Sequence, residues 1–386
     1  MPLALLALLA SCAATPPPPP VPVSLPEPVT VSPEAEPVRE PGPVAAPAAA
    51  PDPVSGQTGI AAEAKPPSLD FEVAAAPAVL LPPGIGAPVV SAASRLSVGS
   101  RDALAASFRD AYLEALFRGE RLLGVYGGDK AHEWKVGAVA SWVQNWRGAE
   151  ARENSWGLKG LALAIKADGR ERTVVLSGNL LDAFGRGAGR GGANGIAGYG
   201  PPLTDVYPSG DGIAVRFEFG LMEIEADGTR RFTMADPPSV FLDVPEAVGA
   251  GPEMSAARRA AFRAGWLAAV DSGFPAGTPD GDAVLVVSPE PAAAAEPPDP
   301  SAVLVQGVFV QTYSGGSWAL ALPVGTNVGG RARLLSGPFL RAFLADGSWL
   351  SGLARYGAPL TDPYRGGGGR IEQRFTGGIA RADSRE

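Results

Sequence analysis

The stretch Tyr199-Gly-Pro-Pro-Leu-Thr-Asp-Val-Tyr207 recurs as Tyr356-Gly-Ala-Pro-Leu-Thr-Asp-Pro-Tyr364. Tyr-Gly, Pro-Leu-Thr-Asp and a closing Tyr stay in register, which chance does not arrange. A chain that repeats itself folds as repeated units, and such architectures usually present binding surfaces. The repetition is longer than this motif. Phe108-Arg109 with Tyr112-Leu113 answers Phe262-Arg263 with Trp266-Leu267, and Val143-Gln-Asn-Trp146 answers Val310-Gln-Thr-Tyr313. Ser155-Trp-Gly-Leu158 answers Ser317-Trp-Ala-Leu320, Leu176-Ser-Gly178 answers Leu335-Ser-Gly337, and Arg216-Phe217 answers Arg374-Phe375. Residues 98–233 and 255–386 therefore read as two copies of one unit, with 234–254 as a Pro- and Gly-containing linker.

Within each copy the periodicity predicts short helices and hairpins. Leu104, Phe108, Tyr112 and Leu116 form one face of a helix over 101–118, with Ser100 as its cap and Gly119 as its stop. Ser255 opens a second helix over 256–270, with Gly273 beyond its end. Residues 212–225 alternate as a half-buried hairpin, and 371–380 form a shorter one turning at Gly377-Gly378. No series of strands with long crossover helices is present, so a parallel doubly wound sheet is not expected. The expected class is α+β: a duplicated repeat unit of short helices and antiparallel β-hairpins, preceded by a disordered Pro-rich arm. Whether the repeats close into a ring or stack openly stays undecided by sequence.

The arm is visible in composition. Of 386 residues, 50 are Gly and 40 are Pro, and residues 13–97 are mostly Pro, Ala, Val and Glu with few aromatics. Such a segment buries too little apolar surface to offset the entropy of ordering. Pro-rich chain stays extended at about 3.1 Å per residue, a spacer or passive low complexity. A second Pro/Ala/Glu-rich insert lies near 289–300.

Charge and titratable content exclude several functions. The net charge is −8 with no Lys/Arg run, which argues against nucleic acid as a partner. One His and one Cys rule out an internal disulfide, a Cys-rich zinc site and any two-histidine site. The single thiol, Cys12, follows a short apolar run ending Leu9-Ala-Ser11. This resembles the lipobox of bacterial lipoproteins, which implies residues 1–12 as signal peptide and lipidation site, hence export and anchoring to a membrane. A cleaved secretory peptide is the alternative. The run is too short to span a bilayer.

Leu335-Ser-Gly-Pro-Phe-Leu340, Phe343, Leu353, Tyr356–Asp362, Ile371-Glu-Gln-Arg-Phe375 and Gly378 together resemble an LGFP-type repeat of bacterial cell-surface proteins. Asn194–Asp205 with Val215-Arg-Phe217 is a second match. Residues 108–148 and 262–313 resemble degenerate copies that hold Tyr126-Gly-Gly and Gly273-Phe-Pro. The resemblance implies an envelope protein that binds cell-wall polysaccharide without catalysis. A protein–protein scaffold in the envelope is the alternative, and an envelope hydrolase the least favoured.

The chemistry of the residues agrees with binding. His132 reads as a surface-loop residue beside Glu133, because no nucleophile motif accompanies it. Ser177 and Ser336 lack the Gly-x-Ser-x-Gly frame. Asp205, Asp211 and Asp227 lack calcium-loop spacing, and the Gly185–Gly195 run lacks the Lys-Ser/Thr of a phosphate loop and reads as flexible. No catalytic residue, cofactor or metal is assigned. The candidate ligand surface is Tyr199, Thr204, Asp205, Tyr207, Tyr356, Thr361, Asp362 and Tyr364. Thr-Asp after Pro-Leu first suggests a pinned turn. Beside tyrosines it also suits a sugar, whose C–H faces stack on rings while carboxylates accept its hydroxyl protons. Most tryptophans among Trp142, Trp146, Trp156, Trp318 and Trp349 are expected in the core.

Overall fold

In the run Val139–Gly148 the side chains of Trp142, Gln144 and Trp146 fall on one side of a strand, and Ser141, Val143 and Asn145 on the other. In the computed structural model that strand is the middle of a sheet buried on both faces. The structure describes residues 69–82, 84–85, 98–125, 131–136, 139–148, 162–167, 170, 172–187, 189–234, 254–287 and 299–383. Cys12, most of the expected arm, residues 235–253 of the linker, Tyr126-Gly-Gly, Ser155–Leu158 and residues 289–298 of the insert lie outside them. All described residues belong to one unit spanning 59–386.

The elements, in chain order, are β1 (Asp70–Val73), α1 (Val98–Phe117), β2 (Leu122–Val125), β3 (His132–Val136), β4 (Val139–Gly148), β5 (Ala162–Ala167) and β6 (Val174–Ser177). Then come α2 (Gly178–Arg186), α3 (Gly195–Tyr199), β7 (Tyr207–Ser209), β8 (Gly212–Phe217), β9 (Gly220–Ile224) and β10 (Arg230–Met234). The second half holds α4 (Ala256–Asp271), β11 (Val284–Val287), β12 (Leu304–Tyr313), β13 (Trp318–Thr326), β14 (Arg333–Ser336), α5 (Gly337–Phe343) and α6 (Trp349–Tyr356). It ends with β15 (Tyr364–Arg365), β16 (Ile371–Phe375) and β17 (Gly378–Ala382). The fold is mixed, with helices and antiparallel sheets. None of the described helices is long and apolar enough to cross a membrane.

Among the described residues four sheets form, in the orders β2-β4-β5-β6 with β3 also on β4, β10-β9-β8-β7, β11-β12-β13-β14 and β1-β17-β16-β15. Period two divides the side chains of the first sheet. Trp142, Trp146, Ala162, Ala164 and Val175 pack on Leu104, Phe108 and Tyr112 of α1. Val143, Leu163, Ile165, Val174 and Leu176 pack on Leu180, Leu181 and Phe184 of α2 and on Val215, Phe217 and Met222 of the second sheet. Burying both faces is why these strands read as nearly continuous apolar runs. The second half divides likewise. Phe309, Tyr313, Trp318, Leu320 and Leu334 face α4, while Val308, Val310, Ala319, Ala321 and Leu335 face α5, α6 and the fourth sheet.

Matched sequence positions make matched contacts. Trp146 donates its indole N–H to Gln144, and Tyr313 donates its hydroxyl to Gln311, both at 2.9 Å. Ser177-Gly178 and Ser336-Gly337 are strand-to-helix corners, with both glycines at φ 52°. Pro202 bridges Phe217 as Pro359 bridges Phe375.

Several expectations need correction. α1 begins at Val98, so Ser100 is inside the helix rather than its cap, whereas Ser255 does cap α4 by accepting from the Arg258 N–H. His132 opens strand β3 instead of sitting in a loop, though its side chain is exposed. The Gly185–Gly195 run is a folded turn with a 3-10 segment at Arg190–Gly192. Gly189 lies so close to Gly198 that a Cβ there would meet the Gly198 carbonyl oxygen at 2.3 Å, which is the packing reason for a glycine at that position. At the two ends of the expected linker, Met234 closes β10 and Met254 is buried against α4.

The largest correction concerns the arm. Its C-terminal end is folded: β1 pairs antiparallel with β17, from Asp70 opposite Arg381 to Val73 opposite Gly378. Phe71 meets Tyr356 edge-on at 5.0 Å, as Phe232 of β10 meets Tyr199 at 4.8 Å. β1 thus fills in the fourth sheet the place that β10, joined by a tight turn, fills in the second. Farther along, Val79 is buried with Leu113 and Phe117 of α1 and with Val328 and Leu360.

Candidate functional site

Thr204 and Thr361 are buried struts. Each accepts, through its hydroxyl, the backbone N–H of the following hairpin, Arg216 at 2.9 Å and Arg374 at 3.0 Å. The bond reaches the neighbouring strand rather than the threonine's own turn. Held this way, the next residue of each motif, Asp205 or Asp362, points to the junction of the two halves. There both carboxylates meet one guanidinium, that of Arg331, which donates to Asp205 at 2.6 Å and also to Asp362 and Glu114. Arg333 donates to Glu114 at 2.5 Å, Arg172 pairs with Asp205, and the Leu334 N–H donates to the other oxygen of Asp362 at 2.7 Å. The three carboxylates lie within 4.8 Å of one another, a separation that would also suit a divalent ion. Here the arginine fork supplies the positive charge.

Burial alone would raise the Glu114 pKa, but Arg331 and Arg333 outweigh it and hold the carboxyl below the usual range. Burial opposes ionisation of Asp205 too, and Arg172, Arg331 and Arg118 overcome it by a wide margin. Burial and the charge of Arg172 bring Arg331 down to about 10, against the pull of Glu114 and Asp205. It remains a cation at neutral pH. The halves are also tied reciprocally: Glu114 of α1 reaches Arg331 and Arg333, while Asp271 of α4 pairs with Arg170 at 2.9 Å.

Beside this network lies a cavity of about 180 Å³ between the halves. Four of the eight expected residues line it: Asp205, Tyr207, Asp362 and Tyr364. Burial pushes the hydroxyls of Tyr207 and Tyr364 up to about 12, so both stay protonated. The other four do not line it. Tyr199 and Tyr356 are core rings packed on Phe217 and Phe375, and the threonines are struts. Trp142, Trp146 and Trp318 are core residues, Trp349 is partly buried on Phe343, and Trp156 is outside the described residues. Among the described residues Trp134 on β3 is the large exposed aromatic.

Sequence reading passed over Glu114, Arg118, Arg172, Arg331 and Arg333. A signal was present: Arg170-Glu-Arg172 and Arg331-Ala-Arg333 each precede a Leu-Ser-Gly corner. Arg172 and Arg331 stand four residues before the matched Leu176 and Leu335.

No family model and no curated protein matches this sequence.

Proposed function

We propose that this chain is a non-catalytic envelope protein, anchored through lipid on Cys12 and carried on its Pro-rich arm. Two copies of an LGFP-like unit, residues 98–233 and 255–386, bind cell-wall polysaccharide or another surface glycan. The observation that supports this most is the convergence of Asp205, Tyr207, Asp362 and Tyr364 on one cavity. Rings, hydroxyls and ionised groups gathered at a recess suit the mixed apolar and polar surface of a sugar. Arginines and the depressed carboxylates Glu114 and Asp205 hold fixed charge at neutral pH, so they orient a ligand rather than shuttle protons.

A second reading, a protein-docking scaffold, draws on β11. This edge strand carries Val284 and Val287 at 57 % and 60 % exposure, a geometry that accepts an added strand. The deciding experiment is co-sedimentation of the full detergent-solubilised chain with purified cell wall. Retention without release of soluble sugar is expected. A chain that stays in the supernatant refutes glycan binding, and sugar release refutes the absence of catalysis. Cys12→Ala is expected to move the protein out of the membrane fraction.

A further inference from the structure

The two halves contribute unequally to the cavity between them. From the first half come Glu114 on α1 and Arg118 just past its end, with Arg172 and Asp205. The second half presents α4 and its C-cap instead, and the register Phe108 to Phe262 sets Ala268 and Ser272 where the first half has Glu114 and Arg118. Two small side chains thus replace a long acid and a long base, which leaves space. Phe274, Leu334 and Phe339 close the apolar side. The lining combines charged and apolar side chains.

Among the charged groups of the lining some buried donors are unpaired. The carboxylate oxygens of Glu114, Asp205 and Asp362 facing Arg331 are occupied by guanidinium N–H groups, and the second oxygen of Asp362 takes the Leu334 N–H. Donors are left over. The Nε–H groups of Arg118 and Arg172 are buried and have no acceptor among the described residues. Both side chains are at least nine-tenths buried, at 9 % and 6 % exposure. A buried donor without an acceptor is costly, and the ordinary remedy is water or a ligand oxygen.

We infer that the cavity between the halves is a binding site for a small carboxylate on a compact apolar body. The inference rests on the proposed binding function and names the chemistry of its ligand. The carboxylate meets the guanidiniums of Arg118, which is also paired with Glu120 at 3.5 Å, and of Arg172, and the body lies against Ala268, Phe274, Leu334 and Phe339. Size sets the limit. An apolar cavity of about 150 Å³ takes a benzene ring, so 180 Å³ takes one ring or branched chain with its acid group. Such a group is either a free acid or the terminus of an acidic wall polymer.

The test uses the full chain with benzoate and cyclohexanecarboxylate as probes, and benzamide and toluene as comparators. Binding is read by calorimetry and by the shift in thermal midpoint. Both acids are expected to bind at least tenfold more tightly than the amide or the hydrocarbon. Arg172→Gln, and Ala268→Leu, which fills the apolar side, are each expected to weaken benzoate at least tenfold. Should Ala268→Leu fail to fold, Arg172→Gln and the amide comparison carry the test. Silence from both acids, equal binding of benzamide, or unchanged affinity in Arg172→Gln overturns the inference.

Wall co-sedimentation with and without benzoate separates the sources. Displacement from wall by benzoate identifies the acid terminus of a polymer, and retention in its presence, with benzoate bound, identifies a free acid. If wall is retained while both acids are silent, this inference falls and the glycan reading stands. If acids bind and wall does not, the glycan reading falls alone.

Discussion

Replacing Arg331 by Met tests the central charge network. Three guanidiniums, of Arg172, Arg331 and Arg333, face the carboxylates of Glu114, Asp205 and Asp362, and the pairs have side chains at most 22 % exposed. Removing Arg331 leaves Arg172 on Asp205 and Arg333 on Glu114, so the half-buried Asp362 carboxylate keeps only the Leu334 N–H and stands without a guanidinium. Breaking a buried pair by deleting one member costs about 3–5 kcal/mol. At roughly 2–3 °C per kcal/mol for a unit of this size, the midpoint falls by about 6–15 °C. The pH dependence is the sharper reading. In the native protein Glu114 and Asp205 are depressed, so their contribution is present above the unfolded carboxylate range and is lost as pH falls through the folded values. In Arg331→Met, burial wins and the three-carboxylate set binds a proton in the folded state that the unfolded chain does not. The folded state then binds more protons, and acidification from pH 8 toward 5 stabilises the variant. Urea unfolding at pH 8 and pH 5 measures the difference, which should be largest at pH 8. Adding Asp362→Asn, which keeps the oxygen that accepts the Leu334 N–H, should restore more than half of the loss. A deficit equal at both pH values, or below about 1 kcal/mol, refutes the reasoning.

Three further outcomes are expected. Phe71→Ala and Phe232→Ala each remove a half-buried ring and one edge-on contact, about 2 kcal/mol by thermal unfolding; a negligible loss at Phe71 beside a full loss at Phe232 would show β1 undocked in solution. Thr204→Val and Thr361→Val take the acceptor from the Arg216 and Arg374 amides, at about 1–2 kcal/mol each. Hydrogen exchange should accelerate at those two amides, and unchanged exchange contradicts their role as struts. Gly178→Ala, at φ 52° in open space, should cost about 1–2 kcal/mol. Gly200→Ala, at φ 74° with its Cβ 2.6 Å from that of Glu218, should cost clearly more by chemical denaturation, and equal losses would show that the contact relaxes freely.

Legibility in the sequence followed the range of the forces involved. The face of α1 and the cap of α4 depend on neighbours a few residues away, so periodicity and Ser255 revealed them. The start of α1 escaped, because a serine that can cap a helix can equally sit inside its first turn. β1 escaped because four residues, Asp70–Val73, carry no period of their own amid Pro and Ala. Its strand character comes from β17, far along the chain. Thr204 and Thr361 could be read as structural, but not that their partners are the Arg216 and Arg374 amides. The meeting of Asp205 and Asp362 on Arg331 is set by how two halves pack, which local pattern does not encode. Tyr199 and Tyr356 look like Tyr207 and Tyr364 in sequence. The first pair ends helices whose inner faces are core, while the second opens strands at the junction of the halves.

The different origins of β1 and β10 give the halves different histories during synthesis. β10 follows β9 within a few residues, so the second sheet can close as soon as Met234 emerges. β1 is made early and waits for β17, roughly 300 residues later, about 15–60 s at ordinary translation speeds. Through that interval Phe71 has no Tyr356 to cover it, and the strand is open to other edges. Completion of the second half is therefore one late event that joins the early and late parts of the chain.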